Sequence, residues 1–203
     1  MNHLLLGVAD LRFNGESFIY YKFPKIGRKS QNSDQEQITL VFKTTQVQQG
    51  APLFYAHSSQ TTSYQLVTLD PDALVISYKF VRDALDQGGE HSLRYEGKFA
   101  DGKWHTLVVQ RMQSPPVLHA MVDGGDIYMK SLEGYMRKFR KLNEIYVGKT
   151  PRSKGFVGLM RTADFQPSFI SYPIAFVSLV LRKSSEIQSS NFSLRAEVEE
   201  SEG

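Results

Sequence analysis

Apolar and polar positions alternate with period two through most of this chain, which predicts short strands rather than helices. In Gln37–Thr44, Ile38, Leu40 and Phe42 occupy one phase while Thr39, Val41 and Lys43 occupy the other. The same pattern predicts strands at Ser17–Lys22, Leu53–His57, Tyr64–Leu69, Ala73–Phe80, His105–Arg111, Val117–Val122, Glu144–Val147, Gly155–Arg161 and Phe176–Arg182. Between them lie Gln49-Gly50, Asp70-Pro71-Asp72, Gln87-Gly88-Gly89 and Asp123-Gly124-Gly125, residues whose backbone preferences suit turns. Many short strands at near-regular spacing predict an all-β sandwich or jelly roll. Ser131–Lys141 is the one helix-like stretch, and Lys25–Gln37 reads as a long polar loop. Polar and acidic residues prevail from Ser184, with Arg195–Gly203 read as a frayed end or linker.

Residues 101–111, Asp-Gly-Lys-Trp-His-Thr-Leu-Val-Val-Gln-Arg, combine these signals most densely. Asp101-Gly102 supplies a tight turn, and Trp104, the single tryptophan, is expected to bury a large flat surface where the strand meets the core. At 203 residues the chain suits a single β domain. It has no cysteine, which excludes thiol catalysis, thiolate metal sites and internal disulfides. The N-terminal apolar run is too short for a signal peptide. No later apolar run reaches the ~20 residues of a membrane span, so no membrane insertion is expected.

Several ordered stretches resemble the laminin G-like (laminin/neurexin/sex-hormone-binding-globulin) domain. They are Phe13-Asn14-Gly15, Phe42-Lys43-Thr44 with Gly50-Ala51-Pro52-Leu53-Phe54-Tyr55, Asp101-Gly102-Lys103-Trp104-His105, Val122-Asp123-Gly124, Ile145-Tyr146-Val147-Gly148, and Gly155-Phe156-Val157-Gly158-Leu159-Met160-Arg161. The resemblance implies an antiparallel jelly-roll sandwich of two curved sheets, about 12–14 strands, occupying residues 10–183. Residues 1–9 would then be an N-terminal extension and 184–203 a polar C-terminal tail or linker. It also implies an extracellular, secreted or ectodomain role in binding matrix glycans, receptors or adhesion partners, within a larger multidomain protein. The family often carries a cysteine where Leu159 stands. Phe176–Leu181 is expected to hold the terminal strand by packing instead. The family's rim Ca²⁺ is commonly bound by an Asp where this chain has Thr62 and Ser63, and the second glycine after Ile145-Tyr146-Val147-Gly148 is Lys149. A neutral hydroxyl replaces a carboxylate ligand poorly, so no cofactor or metal is expected.

Charge supplies the sharpest candidate site. The chain carries a net +3, yet residues 128–161 hold nine cations against Glu133 and Glu144, a local +7. Arg137, Lys138, Arg140 and Lys141 form one basic cluster, and Lys149, Arg152 and Lys154 a second beyond the Glu144–Val147 strand. Clustered Lys and Arg attract polyanions, and arginine forks match sulfate and carboxylate. These residues are therefore the candidate ligand-binding set, for an acidic, heparan-sulfate-like glycan or a cell-surface or matrix protein. The bland reading is a solvated basic face protecting a sheet edge.

Other constellations carry less. His105 is expected to be hydrogen-bonded at the strand entrance, and no histidine spacing matches a transition-metal motif. Asp70/Asp72 and Asp123/Asp126 sit in turns, so no catalytic residue is assigned. Tyr20, Tyr21, Phe23 and Tyr55 read mostly as packing, with an exposed subset able to anchor a protein. Asn191-Phe-Ser193 fits the N-glycosylation tripeptide. No nucleic-acid motif appears. The expected function is a non-enzymatic adhesion or binding module. The alternatives are a protein–protein scaffold with no glycan site and, behind it, a jelly-roll carbohydrate-active enzyme.

Overall fold

A computed structural model describes residues 10–22, 35–81, 89–113, 115–132, 142, 144–168, 178–179 and 195–197. In chain order the strands are β1 (Leu11–Asn14), β2 (Phe18–Lys22), β3 (Gln35–Lys43), β4 (Ala51–His57), β5 (Tyr64–Asp70), β6 (Ala73–Lys79), β7 (Glu90–Glu96), β8 (Trp104–Gln113), β9 (Pro116–Val122), β10 (Ile127–Ser131), β11 (Glu144–Val147), β12 (Val157–Ser168), β13 (Ser178–Leu179) and β14 (Arg195–Glu197). No helix occurs among the described residues. One sheet runs β1-β12-β3-β8-β9-β10 with β13 added to β12; the other runs β14-β2-β11-β4-β5-β6-β7. Every pairing is antiparallel.

The alternation works as predicted in the central strands. Ile38, Leu40 and Phe42 of β3 and Leu107 and Val109 of β8 are buried, in one core with Leu53, Phe54, Val67, Leu69, Leu74 and Ile76 of the other sheet. Each such side chain contributes about 1.5–3 kcal/mol by leaving water. Two bulges modify the pattern. The β4–β5 register shifts between Pro52 and Phe54, and Leu53 and Phe54 are both fully buried. The β12–β3 register shifts between Met160 and Thr162, and the extra residue, Arg161, turns outward; bulges commonly re-aim a side chain in this way.

That outward turn bears on Trp104. The Arg161 guanidinium lies 4.1 Å from the indole centroid and also pairs with Asp10 at 2.9 Å. Trp104 is half-buried on the outer face, while its neighbour His105 takes the inward slot against Phe42 and Phe99. The expected core tryptophan is thus corrected by one residue of phase, as a period of two requires.

Strands β7 and β10 lie outside the predicted set: β7 carries few apolar residues, and β10 is apolar in both phases. β7 is buried only at Leu93 and Tyr95, and no β10 residue is buried. Gln35–Gln37, read as loop, belong to β3, and Ser131, read as the start of a helix, ends β10. Arg195–Glu197, within the stretch read as a frayed tail, pair with β2. Ser178–Leu179 pair with β12 through Leu179 and Ala163.

One end of the interior is charged. Arg111 and Glu36 point inward from adjacent strands β8 and β3, with side chains 2% and 4% exposed. They make two contacts, each of 3.2 Å, and the guanidinium carbon lies 5.9 Å from the Phe80 ring centroid.

Candidate functional site

The loop joining β11 to β12 is held at its base by backbone. Gly148 N–H donates to Leu53 O (3.0 Å), Phe156 N–H to Gly148 O (2.6 Å), Gly155 N–H to Gly15 O (2.8 Å) and Gly15 N–H to Phe156 O (3.0 Å). Glycine is required at this collar. Gly148 has φ +85°, and a Cβ there would sit 2.3 Å from the Phe13 ring; at Gly155 it would meet two carbonyl oxygens at 2.6 and 2.7 Å. Above the collar, Thr150-Pro151-Arg152-Ser153 forms a turn with proline in its favoured second position. The Ser153 N–H donates to Thr150 O at 3.4 Å, and the two hydroxyls lie 2.7 Å apart. Arg152 stands exposed at the tip, with Lys154 exposed beside it.

The three predicted loop cations differ in what they can offer a ligand. Lys149 is ion-paired to Glu16, whose carboxyl it holds below the usual carboxylate range, first by hydrogen bonding and then by charge. Lys154 adds a weaker pull in the same direction. Arg152 lies near Tyr55: burial raises that phenol's pKa, and the Arg152 charge opposes the rise. Arg152 and Lys154 are therefore the loop's outward cations, with Lys149 buttressing its base. Arg137, Lys138, Arg140 and Lys141 lie outside the described residues. Two further cations of the basic stretch go elsewhere: Lys130 donates to Ser92 O (2.8 Å), and Arg161 covers Trp104.

Three of the four turn carboxylates weighed for glycoside chemistry, Asp70, Asp72 and Asp123, are engaged by structure. Arg94 reaches Asp70 at 3.1 Å, Glu96 at 2.8 Å and also Asp72, and Asp70 accepts the Gly50 N–H at 2.8 Å. Asp123 accepts the Thr106 N–H (2.7 Å) and contacts His105 Nδ1 (2.7 Å), while Asp101 contacts His105 Nε2 (3.0 Å). His105 thus ties two turns together, as expected of a histidine bonded at the strand entrance.

Thr62 and Ser63 offer hydroxyls rather than carboxylates where the family commonly binds its rim Ca²⁺. Ser63 is buried; its hydroxyl accepts the Val81 N–H at 3.0 Å, and Ser58 Oγ accepts the Gln60 and Thr61 N–H groups at 3.2 and 3.1 Å. These hydroxyls are committed to backbone, and no carboxylate stands beside them in the sequence. Among the described residues no group of three His, Asp or Glu side chains is placed to hold a metal ion.

A second surface adjoins the loop. Phe18, Tyr20, Tyr146, Tyr55, His57 and Tyr64 fill outward slots of β2, β11, β4 and β5 and contact one another at ring-centroid distances of 4.8–6.2 Å. Glu144 Oε2 lies 3.2 Å from His57 Nε2. Burial and a hydrogen bond to Glu90 push the Tyr64 phenol upward. Of this set, only Tyr20 and Tyr55 are among the aromatic residues that the sequence alone marks. The missed signal was aromatic residues in the phase that an exposed sheet face normally fills with polar ones.

No curated protein matches the sequence. Among solved structures, the chain is similar to mouse laminin α1 chain domains LG4-5 (TM-score 0.61, 14% identity, covering 83% of this chain and 47% of that one). It is similar also to the LG1-3 region of the laminin α2 chain (TM-score 0.62, 17% identity, 80% and 32%). A third likeness is the CBM40 of a Ruminococcus gnavus IT-sialidase bound to α2,3-sialyllactose (TM-score 0.55, 13% identity, 81% and 94%). The chain thus spans less than half the length of either laminin structure. The family model for the laminin G domain matches residues 42–167. That match covers more than half of the chain, which belongs to the laminin G domain family.

Proposed function

We propose that this domain is an extracellular, non-enzymatic binding module that captures an acidic glycan through its basic loops. The observation that carries the reading is the β11–β12 loop: Arg152 and Lys154 are exposed on a turn whose base is fixed by four backbone hydrogen bonds. A preorganised cationic loop avoids part of the ordering cost of binding, and guanidinium forks suit sulfate and carboxylate. Arg137, Lys138, Arg140 and Lys141 supply the second set of cations in sequence. The CBM40 likeness supports the reading to the extent that a sandwich of similar backbone is seen with an acidic saccharide. Exposed contacts of this kind are individually weak and screened by salt, so avidity with neighbouring domains is expected to matter. The test is heparin-column retention of two variants, Arg152→Ser/Lys154→Ser and the four-fold Ser replacement at 137, 138, 140 and 141. Each is expected to elute at lower salt than wild type; unchanged elution of both removes the glycan assignment.

The rival, a protein interface, is favoured by β10, where Ile127 and Met129 are 57% and 67% exposed. If it holds, Ile127→Lys/Met129→Lys abolishes partner capture and leaves heparin retention unchanged.

A further inference from the structure

The outward face beside the loop is aromatic in four adjacent strands. A sheet face turned to water ordinarily carries polar side chains, and aromatic rings there expose apolar surface that marks interaction sites when contiguous. Register makes the set contiguous. Tyr20, Tyr146 and Tyr55 stand directly opposite one another across β2, β11 and β4, and His57 and Tyr64 form the next row across β4 and β5. His57 is stacked on Tyr55 with rings 17° from parallel. All six rings are partly exposed. From β2 to β5 the face spans three inter-strand steps, about 14 Å.

Two properties select the occupant. The rings are broad, and the four tyrosines among them end in hydroxyls, which suits a ligand with a C–H face and a hydroxyl edge: a pyranose ring. The face also adjoins a cationic loop, since Tyr146 of β11 stands two residues before Gly148, the base of the loop that carries Arg152. We propose that the outer face of β2, β11, β4 and β5 is a saccharide-stacking subsite that, with Arg152 at its margin, takes an oligosaccharide bearing a carboxylate. This rests on the glycan reading of the loop and adds what charge alone lacks, recognition of the sugar ring itself.

The test is calorimetric titration of the whole chain with a hyaluronan hexasaccharide, which has carboxylates and no sulfate, and with uncharged chitohexaose. Wild type is expected to bind both, the acidic sugar more tightly. Tyr55→Thr/Tyr146→Thr, with β-compatible replacements, is expected to weaken both by about tenfold or more, while Tyr146→Phe, which keeps the ring and loses one hydroxyl, is expected to weaken both by less than the double variant does. Arg152→Ser is expected to weaken only the acidic one. Unchanged Trp104 emission, from the opposite sheet, checks that each variant is folded. If the tyrosine variant binds both sugars as wild type does, the subsite is overturned, whatever the loop variants do on heparin. If heparin retention ignores the loop cations while the tyrosine variant loses chitohexaose, the loop reading falls and the stacking subsite stands. Failure of folded wild type to bind either sugar overturns the subsite and directs the face to a protein partner.

Discussion

Replacing Arg111 by Met removes one member of the ion pair sealed inside the sandwich and takes its charge away from Glu36. The Glu36 side chain is only 4% exposed and loses two contacts of 3.2 Å. Two such charges attract by about 4 kcal/mol at an effective dielectric of 20. Desolvation costs several kcal/mol for each ion, so the intact pair lies near break-even. In the single variant the carboxylate stays desolvated while the guanidinium's attraction is lost, and deleting one partner of a buried pair costs about 3–5 kcal/mol. A single domain is stable by only 5–15 kcal/mol, so Arg111→Met is expected to forfeit a large fraction of the total. Replacing both charges, in Glu36→Leu/Arg111→Met, is expected to return to within about 1 kcal/mol of wild type, because buried ion pairs exchange with apolar side chains at little cost. Urea denaturation of wild type, both single variants and the double variant reads this directly, provided the m-value is constant. A single variant costing under about 1 kcal/mol, or a double variant as unstable as the two singles summed, would refute the reasoning.

Three further outcomes follow. Gly148→Ala forces a Cβ to 2.3 Å from the Phe13 ring at φ +85°, and is expected to lower stability by about 1–3 kcal/mol, measurable as a drop in Tm. Glu16→Gln frees Lys149 and is expected to raise the salt needed to elute the domain from heparin. The same release should follow acidification. The Glu16 pKa is lowered in the folded chain, so its ion pair is intact above the ordinary carboxylate pKa of 4.5 and is lost as pH falls through the lower folded value. Heparin retention at fixed salt, on sulfates that stay ionised, should therefore rise over that interval. Finally, Arg161→Ala removes the cation from the indole face of the single tryptophan, and is expected to shift Trp104 emission without altering heparin retention.

How far the sequence discloses this molecule depends on where each feature's partners lie. β3, β5 and β6 are legible because one phase of each is nearly all apolar and faces the core. β10 is not, since Ile127, Tyr128 and Met129 are all exposed and no phase is apolar for burial's sake. Residue type alone places Trp104 in the core, whereas the Arg161 that covers it sits at a bulge of β12. The loop cations are legible as composition, but not that Lys149 is taken by Glu16, a partner distant in the chain. The aromatic face is illegible for the same reason. Tyr20, Tyr55 and Tyr146 become neighbours only through cross-strand register.

The proposed glycan capture rests on fixed, exposed loop cations acting without a metal. Its most direct test is elution of the whole chain from heparin in a sodium chloride gradient, run with Ca²⁺ and with chelator. Elution above physiological salt, equal in both and earlier for Arg152→Ser/Lys154→Ser, is the predicted result. Release at low salt, or retention that requires Ca²⁺, would contradict it.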